Sequence, residues 1–266
     1  MPPSIELAGF IRHYLFLDLS LLDLSGAATR RLRLFPDGST GIVLNSSPNL
    51  LWDGQRLPAA FFYGQLTEYK ELSALGPSRM VVIVFHPHGI SRLLDRPAGA
   101  FNDQVLALDA LFGESALALQ QAVATADTGA GTISAIEDFF RAVAARREPM
   151  VHPLVSQALQ LIQRSRGTIS IQQLTDSMNC QSRQLERKFS HSVGLSPKQY
   201  CTIVRTLHFV RSLHGAGSSA SLTEAAYNSG YYDQAHGIRE FRKATGLTPS
   251  TYLKNTGSLA LNFLVL

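Results

Sequence analysis

The chain has little of what a secreted or membrane-embedded protein needs. It contains only two cysteines in 266 residues, Cys180 and Cys201, which is too few for a disulfide framework and favours reduced thiols. No apolar run reaches the ~20 residues that cross a bilayer. The N-terminus lacks the basic segment and apolar core of a signal peptide. These absences predict a cytoplasmic protein with no membrane partner.

The sequence also lacks the short motifs that accompany catalysis. It has no nucleophile elbow, no phosphate-binding glycine loop and no HExxH pattern. His86 and His88 could chelate a metal from one face of a strand, but zinc needs a third and usually a fourth ligand, and none stands at a known spacing. We therefore expect no enzyme activity, no metal and no cofactor.

Positive charge is concentrated in the second half of the chain. Residues 1–148 carry 12 Lys+Arg against 15 Asp+Glu, a net charge of −3. Residues 149–266 carry 12 against 5, a net charge of +7. A basic half of this kind suits a protein that binds a phosphate backbone.

The same half contains an internal repeat. Six residues recur 52 positions later with their identity and order kept, which signals a duplicated structural unit. The pairs are Arg187/Arg239, Phe189/Phe241, Gly194/Gly246, Leu195/Leu247, Pro197/Pro249 and Tyr200/Tyr252.

Each copy is typical of two short helices joined by a tight turn. In the first copy, apolar residues at helical spacing predict helices over 171–178 and from 182 to the glycine at 194. The second copy repeats the plan over 222–229 and 233–245, and a longer helix over 197–213 joins the two. In both copies the second helix is polar and basic on its free face, as in a helix-turn-helix.

Residues 150–254 resemble the C-terminal DNA-binding domain of the AraC/XylS family of bacterial transcription regulators. The resemblance rests on spaced motifs in both copies: Leu185-x-Arg187-x-Phe189, Gly194-Leu195-Ser196-Pro197-x-x-Tyr200, Gly230-Tyr231-Tyr232-Asp233-Gln234-Ala235-His236, Arg239-x-Phe241 and Gly246-Leu247-Thr248-Pro249-x-x-Tyr252. It implies double-stranded DNA as a partner. RNA polymerase and a second copy of the chain are further candidate partners.

The second helix of each copy supplies the candidate DNA contacts. Spacing puts Leu185 and Phe189 in the core, so the flanking polar residues are free to meet bases or phosphates. The candidates are Ser182, Arg183, Glu186, Arg187, Gln234, Ala235, Ile238 and Arg239, with His236 and Lys243 for the DNA backbone. Three alternatives stay open: Glu186 could pair with an arginine, Arg187 and Arg239 could form structural salt bridges, and His236 could pack. Asp233 is expected to cap its helix.

Gly237 departs from the family pattern, which places a large apolar residue there. A glycine inside a helix costs about 0.5–1 kcal/mol relative to alanine, and its missing side chain is expected to leave a core position unfilled. Gly237→Phe is therefore expected to stabilise the domain.

The first half predicts a β-rich domain followed by helices. Strands are expected over 14–17, 31–35, 41–44 and 80–85, with a hairpin turn at Asp53-Gly54. Helices are expected over 90–94 and 111–125 and, after a loop over 126–131, over 133–146.

This half loosely resembles the N-terminal domains of one AraC-type subgroup, which implies ligand sensing or dimerisation. The resemblance rests on Phe35-Pro36-Asp37-Gly38, Tyr63-Gly64-Gln65 and Phe85-His86-Pro87-His88-Gly89. A candidate ligand pocket comprises Trp52, Phe61, Tyr63 and Gln65, although a lone tryptophan with an aromatic cluster is more often part of the core.

Together these patterns predict an α+β protein of three parts: a β-rich regulatory domain over 1–148, a tandem helix-turn-helix domain over 149–256 and an apolar tail over 257–266. The expected function is a sequence-specific DNA-binding transcription regulator controlled by a small molecule or partner. The alternative is a ligand- or protein-binding module whose helix-turn-helix domain no longer reads DNA.

Overall fold

A computed structural model describes residues 1–19, 30–94, 96–145, 152–215, 222–255 and 262–265. These residues fold into two compact units, each of which is made of three segments that are separate in the sequence. The first unit comprises 1–30, 39–65 and 72–151; the second comprises 31–38, 66–71 and 152–266. The boundary expected at 148/149 and most of the tail over 257–266 lie outside the described residues.

The strands are short and fall mostly in the first half. They are β1 (Ile11–Asp18), β2 (Arg30–Leu34), β3 (Gly41–Asn45), β4 (Leu50–Trp52), β5 (Gln55–Arg56), β6 (Ala60–Tyr63), β7 (Lys70–Ala74), β8 (Arg79–Phe85), β9 (Val105–Ala107) and β10 (Phe263–Val265). The helices are α1 (Leu108–Phe112), α2 (Glu114–Ala124), α3 (Gly129–Ala144), α4 (Pro153–Arg164), α5 (Ile171–Ser177), α6 (Ser182–Val193), α7 (Pro197–Gly215), α8 (Leu222–Asn228), α9 (Gln234–Thr245) and α10 (Pro249–Asn255). No helix among the described residues is long and apolar enough to span a membrane.

An antiparallel sheet of order β1-β8-β3-β6-β9 forms the centre of the first unit. In its middle strand, Ile42 lies opposite Ile83 on one side and Phe62 on the other. Residues 80–85 of β8 are all buried, which confirms the expectation from their unbroken apolar run. A β4–β5 hairpin turns at Asp53 and Gly54, where φ is +47° and +85°, as the turn residues predicted.

Helices α2 and α3 cover one face of this sheet. Phe140 of α3 lies edge-on to Phe10 and Phe85, with ring centroids 6.2 and 5.6 Å apart. Glu137, one turn earlier, is buried but accepts hydrogen bonds from the Ser4 amide and the Arg141 guanidinium. The amphipathic pattern of α3 is thus satisfied by an apolar face against the sheet and a paired carboxylate at its margin.

Three expectations for the helical part of the first half were wrong. The loop expected over 126–131 is shorter, because Thr128 caps α3 by accepting a hydrogen bond from the Gly131 amide at 3.0 Å. The single helix expected over 111–125 is two helices, because Gly113 adopts φ +58° between them. Residues 90–92 form a single 3₁₀ turn rather than the expected longer helix.

The second unit consists of α4 to α10 together with two short pieces of the first half. The helix-turn-helix copies are α5–α6 and α8–α9, within two residues of the predicted bounds, and the predicted joining helix is α7. Phe35, at the end of β2, is fully buried in the core of the second copy, and its ring centroid lies 6.3 Å from that of Tyr252. Strand β10 pairs antiparallel with β2.

Candidate nucleic-acid interface

Helix α6, the first recognition helix of the predicted pair, separates an apolar face from a polar one. Leu185 and Phe189 are fully buried, because they stand at i and i+4 and pack against the rest of the unit. The four candidate DNA contacts on this helix are all exposed: Ser182, Arg183, Glu186 and Arg187. The helix ends at Gly194, which adopts φ +87°.

The charged side chains of α6 do not form ion pairs with one another. Among the described residues, neither Arg183 nor Arg187 forms an ion pair with a carboxylate, and Glu186 pairs with neither. Arg187 also lines an open polar groove of about 880 Å³, together with Thr175, Asp176, Gln184 and the turn residues 179–181; the Asp176 carboxylate lines this groove without forming an ion pair with Arg187. The exposed cations of α6 are therefore available to an external anion or hydrogen-bond acceptor.

Helix α9 presents the matching surface of the second copy. Asp233 caps it as predicted, since its carboxylate accepts a hydrogen bond from the His236 amide at 2.6 Å. Ala235 and Arg239 are exposed, and Ile238 is half-buried. Arg239 has no carboxylate partner among the described residues, so the salt-bridge alternative for the repeated arginines has no support there.

Three other candidates on α9 have defined surroundings. The half-buried Gln234 accepts a hydrogen bond from the Thr223 hydroxyl at 2.8 Å, which ties the start of α9 to α8. The His236 ring lies edge-on to Tyr231 at 5.3 Å, a contact that favours packing. Lys243 is exposed. Arg242, also exposed, is absent from the predicted set, although its i+3 spacing from Arg239 could have indicated it.

The interpretation of Gly237 as an unfilled core position was wrong. A Cβ atom at this glycine would lie 3.1 Å from Ala226 Cβ and 3.3 Å from Tyr231 Cδ2. Both neighbours are buried, so the space is already occupied. The glycine lets α8 and the Tyr231 ring approach α9 closely.

Helix α7 orients the two copies, because it packs against α4, α6, α8 and α9. Its first turn is capped by Ser196, whose hydroxyl accepts a hydrogen bond from the Gln199 amide. Farther along, the buried Thr206 hydroxyl lies 3.2 Å from that of Tyr231, and Arg205 donates to the carbonyl of Gly167 at 2.9 Å. Burial raises the pKa of the Cys201 thiol on α7 to about 11, so this cysteine stays protonated and unreactive at neutral pH.

The residues of the candidate ligand pocket lie in the core of the first unit. Trp52, Phe61, Tyr63 and Gln65 are all buried, and the rings of Trp52 and Tyr63 are 6.3 Å apart. None of these four residues lines either of two cavities, one of about 650 Å³ in the first unit and one of about 350 Å³ in the second unit. The pocket stays a prediction.

His86 and His88 stack with their centroids 6.1 Å apart. Burial, followed by the nearby Arg12 charge, lowers the pKa of His86. No group of three or more His, Cys, Asp or Glu side chains that could hold a metal occurs in the part of the chain that the structure describes.

Comparison with known proteins gives two family matches. Residues 174–255 match a helix-turn-helix domain family, and residues 1–107 match a domain of unknown function (DUF6597). No curated protein sequence matches the chain.

Among solved structures, ToxT from Vibrio cholerae resembles the chain over most of its length. One ToxT structure is 12% identical, covers 90% of this chain and 98% of its own, and has a TM-score of 0.50. ToxT bound to an unsaturated fatty acid is 14% identical, covers 92% and 95%, and has a TM-score of 0.50. ToxT bound to (E)-4-(8-methylnaphthalen-1-yl)but-3-enoic acid is 11% identical, covers 90% and 98%, and has a TM-score of 0.51. At these identities the likeness concerns the fold.

Proposed function

Because the chain belongs to the AraC/XylS family of DNA-binding transcription regulators, we propose that it reads a specific double-stranded DNA sequence with α6 and α9. The observation that carries this proposal is that both helices bury their apolar face while leaving arginines exposed and without carboxylate partners among the described residues. Two helices of this kind, set by one joining helix, suit successive major grooves about 34 Å apart.

The exposed side chains divide by the chemistry they can perform. Arg183 and Arg187 on α6, and Arg239 on α9, can each donate two hydrogen bonds to guanine O6 and N7. Ala235 and Ile238 offer apolar contact to a thymine methyl group, and Lys243 suits a phosphate. We infer that Arg183 in the first turn of α6, and Arg187 and Arg239 near the middle of their helices, contribute specificity, while phosphate contacts supply most of the affinity and make it depend strongly on salt.

Selection of bound duplexes from a random library by the full chain tests this proposal. The wild type should enrich one sequence, and Arg183→Ala should relax preference at particular base pairs at a cost of about 1–3 kcal/mol for the preferred duplex. Arg96→Ala, which removes one exposed charge from the first unit, is the matched control and should keep the preference. Enrichment of no sequence by the wild type would contradict the proposal and favour a module that binds ligand or protein without reading DNA.

We further propose control by a carboxylic acid bound in the 350 Å³ cleft of the second unit. Its lining combines apolar groups with two exposed lysines, Lys198 and Lys243, and one carboxylate, Glu240. The volume is within the range of small-molecule sites. The two ToxT structures with bound acids support the ligand class, since each acid joins a carboxylate to an apolar body.

A ligand in this cleft would compete for a side chain that also suits DNA. Lys243 projects from α9, so its engagement by a carboxylate would withdraw a cation from the phosphate backbone, and DNA would weaken ligand binding by the same factor. Sodium oleate below its micelle concentration should lower the affinity for the selected duplex, and oleyl alcohol should not. Lys198→Ala should lose this response while binding DNA as the wild type does. An equal response to the alcohol, or an unchanged response in Lys198→Ala, would count against the cleft.

A further inference from the structure

A group of basic side chains lies on α7 and just beyond α4, outside both recognition helices. It consists of Arg166, His208 and Arg211, which we term the α7 cationic cluster. Arg166 and Arg211 are exposed and His208 is half-buried. Among the described residues neither arginine pairs with a carboxylate. Both arginine charges act on His208 between them, and an external anion would be attracted by the two charges together.

His208 holds the cluster together in its neutral form. Burial, and then the charges of Arg166 and Arg211, lower the pKa of His208. Its Nε2 atom lies 3.3 Å from Nη1 of Arg166, so the neutral ring accepts a hydrogen bond from the guanidinium. The ring also contacts the backbone of Asn228, the last residue of α8. His208 is therefore a positioning residue that fixes Arg166 relative to the second helix-turn-helix copy.

The backbone at Arg166 is in an uncommon conformation for an arginine. Its φ is +54°, and Gly167 follows at +75°. This left-handed pair ends α4, and the Gly167 amide donates to the Ile162 carbonyl at 2.9 Å. Glycine or asparagine is favoured at such a position. A larger residue held there is a strained feature of the kind that accumulates at functional sites.

The residue after the left-handed pair lies beside the turn that precedes α9. A Cβ atom at Gly230 in that turn would be 2.4 Å from Thr168 Cγ2, so Thr168 packs closely against it. Arg205 behaves differently, since it donates to the Gly167 carbonyl and its guanidinium lies over the Tyr231 ring. Arg205 supports the fold, whereas Arg166 and Arg211 point their charge at no described acid.

We propose that the α7 cationic cluster binds phosphates of the DNA backbone beside the groove that α9 enters. Charge complementarity favours this partner, because backbone phosphates are a dense array of anions and guanidinium groups bind phosphate through paired hydrogen bonds. The cluster would fix register and add affinity without reading bases. This inference rests on the proposed function, because it requires α9 to face DNA.

Salt-dependent binding of the full chain to DNA tests the inference. The probes are a 40-base-pair duplex that carries the selected sequence and a random duplex of equal length. Arg166→Gly and Arg211→Ala should each reduce the slope of log K against log salt by about 0.9. That change corresponds to an affinity loss of about eightfold at 0.1 M salt and about fourfold at 0.2 M salt. Both losses should occur on both duplexes, and Arg96→Ala should cause neither.

Arg166→Gly separates a binding role from a structural one. Because glycine relieves the left-handed backbone, this variant should have a higher Tm than the wild type while it binds DNA more weakly. A lower Tm would mean that the fold itself requires the arginine, and would overturn the inference. An unchanged salt slope in both variants, or a loss confined to particular base pairs, would overturn it as well.

Two further outcomes distinguish a failure of the proposed function from a failure of this inference. If the wild type selects no sequence but the variants still lose slope on the random duplex, the cluster binds phosphates and sequence reading by α6 and α9 fails. If the variants keep the slope on DNA but lose binding to polyglutamate, the cluster serves an acidic polypeptide and the inference is overturned.

Discussion

The tight environment of Gly237 gives a prediction whose sign is opposite to that expected from sequence. Replacing this glycine with alanine gains about 0.5–1 kcal/mol of helix stability. Against this, the new Cβ would lie 3.1 Å from Ala226 Cβ and 3.3 Å from Tyr231 Cδ2. Because both neighbours are buried, a phenylalanine ring has to displace α8 or the Tyr231 ring. Overpacking of this kind costs typically about 1–3 kcal/mol.

We therefore expect Gly237→Phe to destabilise the full chain by a net of about 1–2 kcal/mol in urea denaturation, and its Tm to fall by about 2–8 °C. Ala235→Phe places the same side chain on an exposed position of the same helix and should change stability by less than about 0.5 kcal/mol. A Tm for Gly237→Phe equal to or above that of the wild type would refute the reasoning, because it would mean that the position beside Ala226 is open.

Two further predictions concern the core and the response to pH. Phe35→Ala should lower the free energy of unfolding by about 3–5 kcal/mol in a urea titration, because Phe35 is fully buried against Tyr252; a loss below about 1 kcal/mol would argue against that packing. His86 has a pKa below its ordinary value of about 6.5, so the unfolded chain binds more protons and stability should fall as pH drops below about 6.5. Tm measured at pH 7.5 and 5.5 should fall less in His86→Gln than in the wild type, and equal falls would contradict this assignment.

The helices of the C-terminal half were predictable because their limits depend on neighbouring residues. Asp233 caps α9, and Gly194 ends α6 in the left-handed conformation; both signals stand in the sequence next to the helix they limit. Helix α4 was missed, although Val155, Ala158, Leu159 and Ile162 recur at helical spacing and are all buried.

The first half was harder to predict because its strands pair with distant partners. Strand β6 is only four residues long and lies between β3 and β9, about 20 and 40 residues away along the chain. A strand of that length has little periodicity of its own, so pairing rather than local pattern defines it.

The candidate interface shows the same division between local and distant information. Spacing alone predicted which residues of α6 would be exposed, since burial of Leu185 and Phe189 fixes the opposite face. It could not show that Gln234 bonds to Thr223 or that Gly237 faces Ala226, because each contact joins two separate helices. The approach of Arg166 to His208 spans 42 positions and has no local signature.

The burial of Phe35 among helices encoded more than 170 residues later affects how this protein can be dissected. Phe35, Leu207 and Phe241 belong to one apolar cluster, so a fragment that begins at residue 152 loses an aromatic ring from the middle of its second helix-turn-helix copy. Chimeras that join the N-terminal half of another protein to residue 152 would have the same cavity in the core. A DNA-binding fragment that can be moved to another protein therefore needs residues 31–38, supplied in trans or fused by circular permutation, so that the Phe35 ring again fills its position in the core.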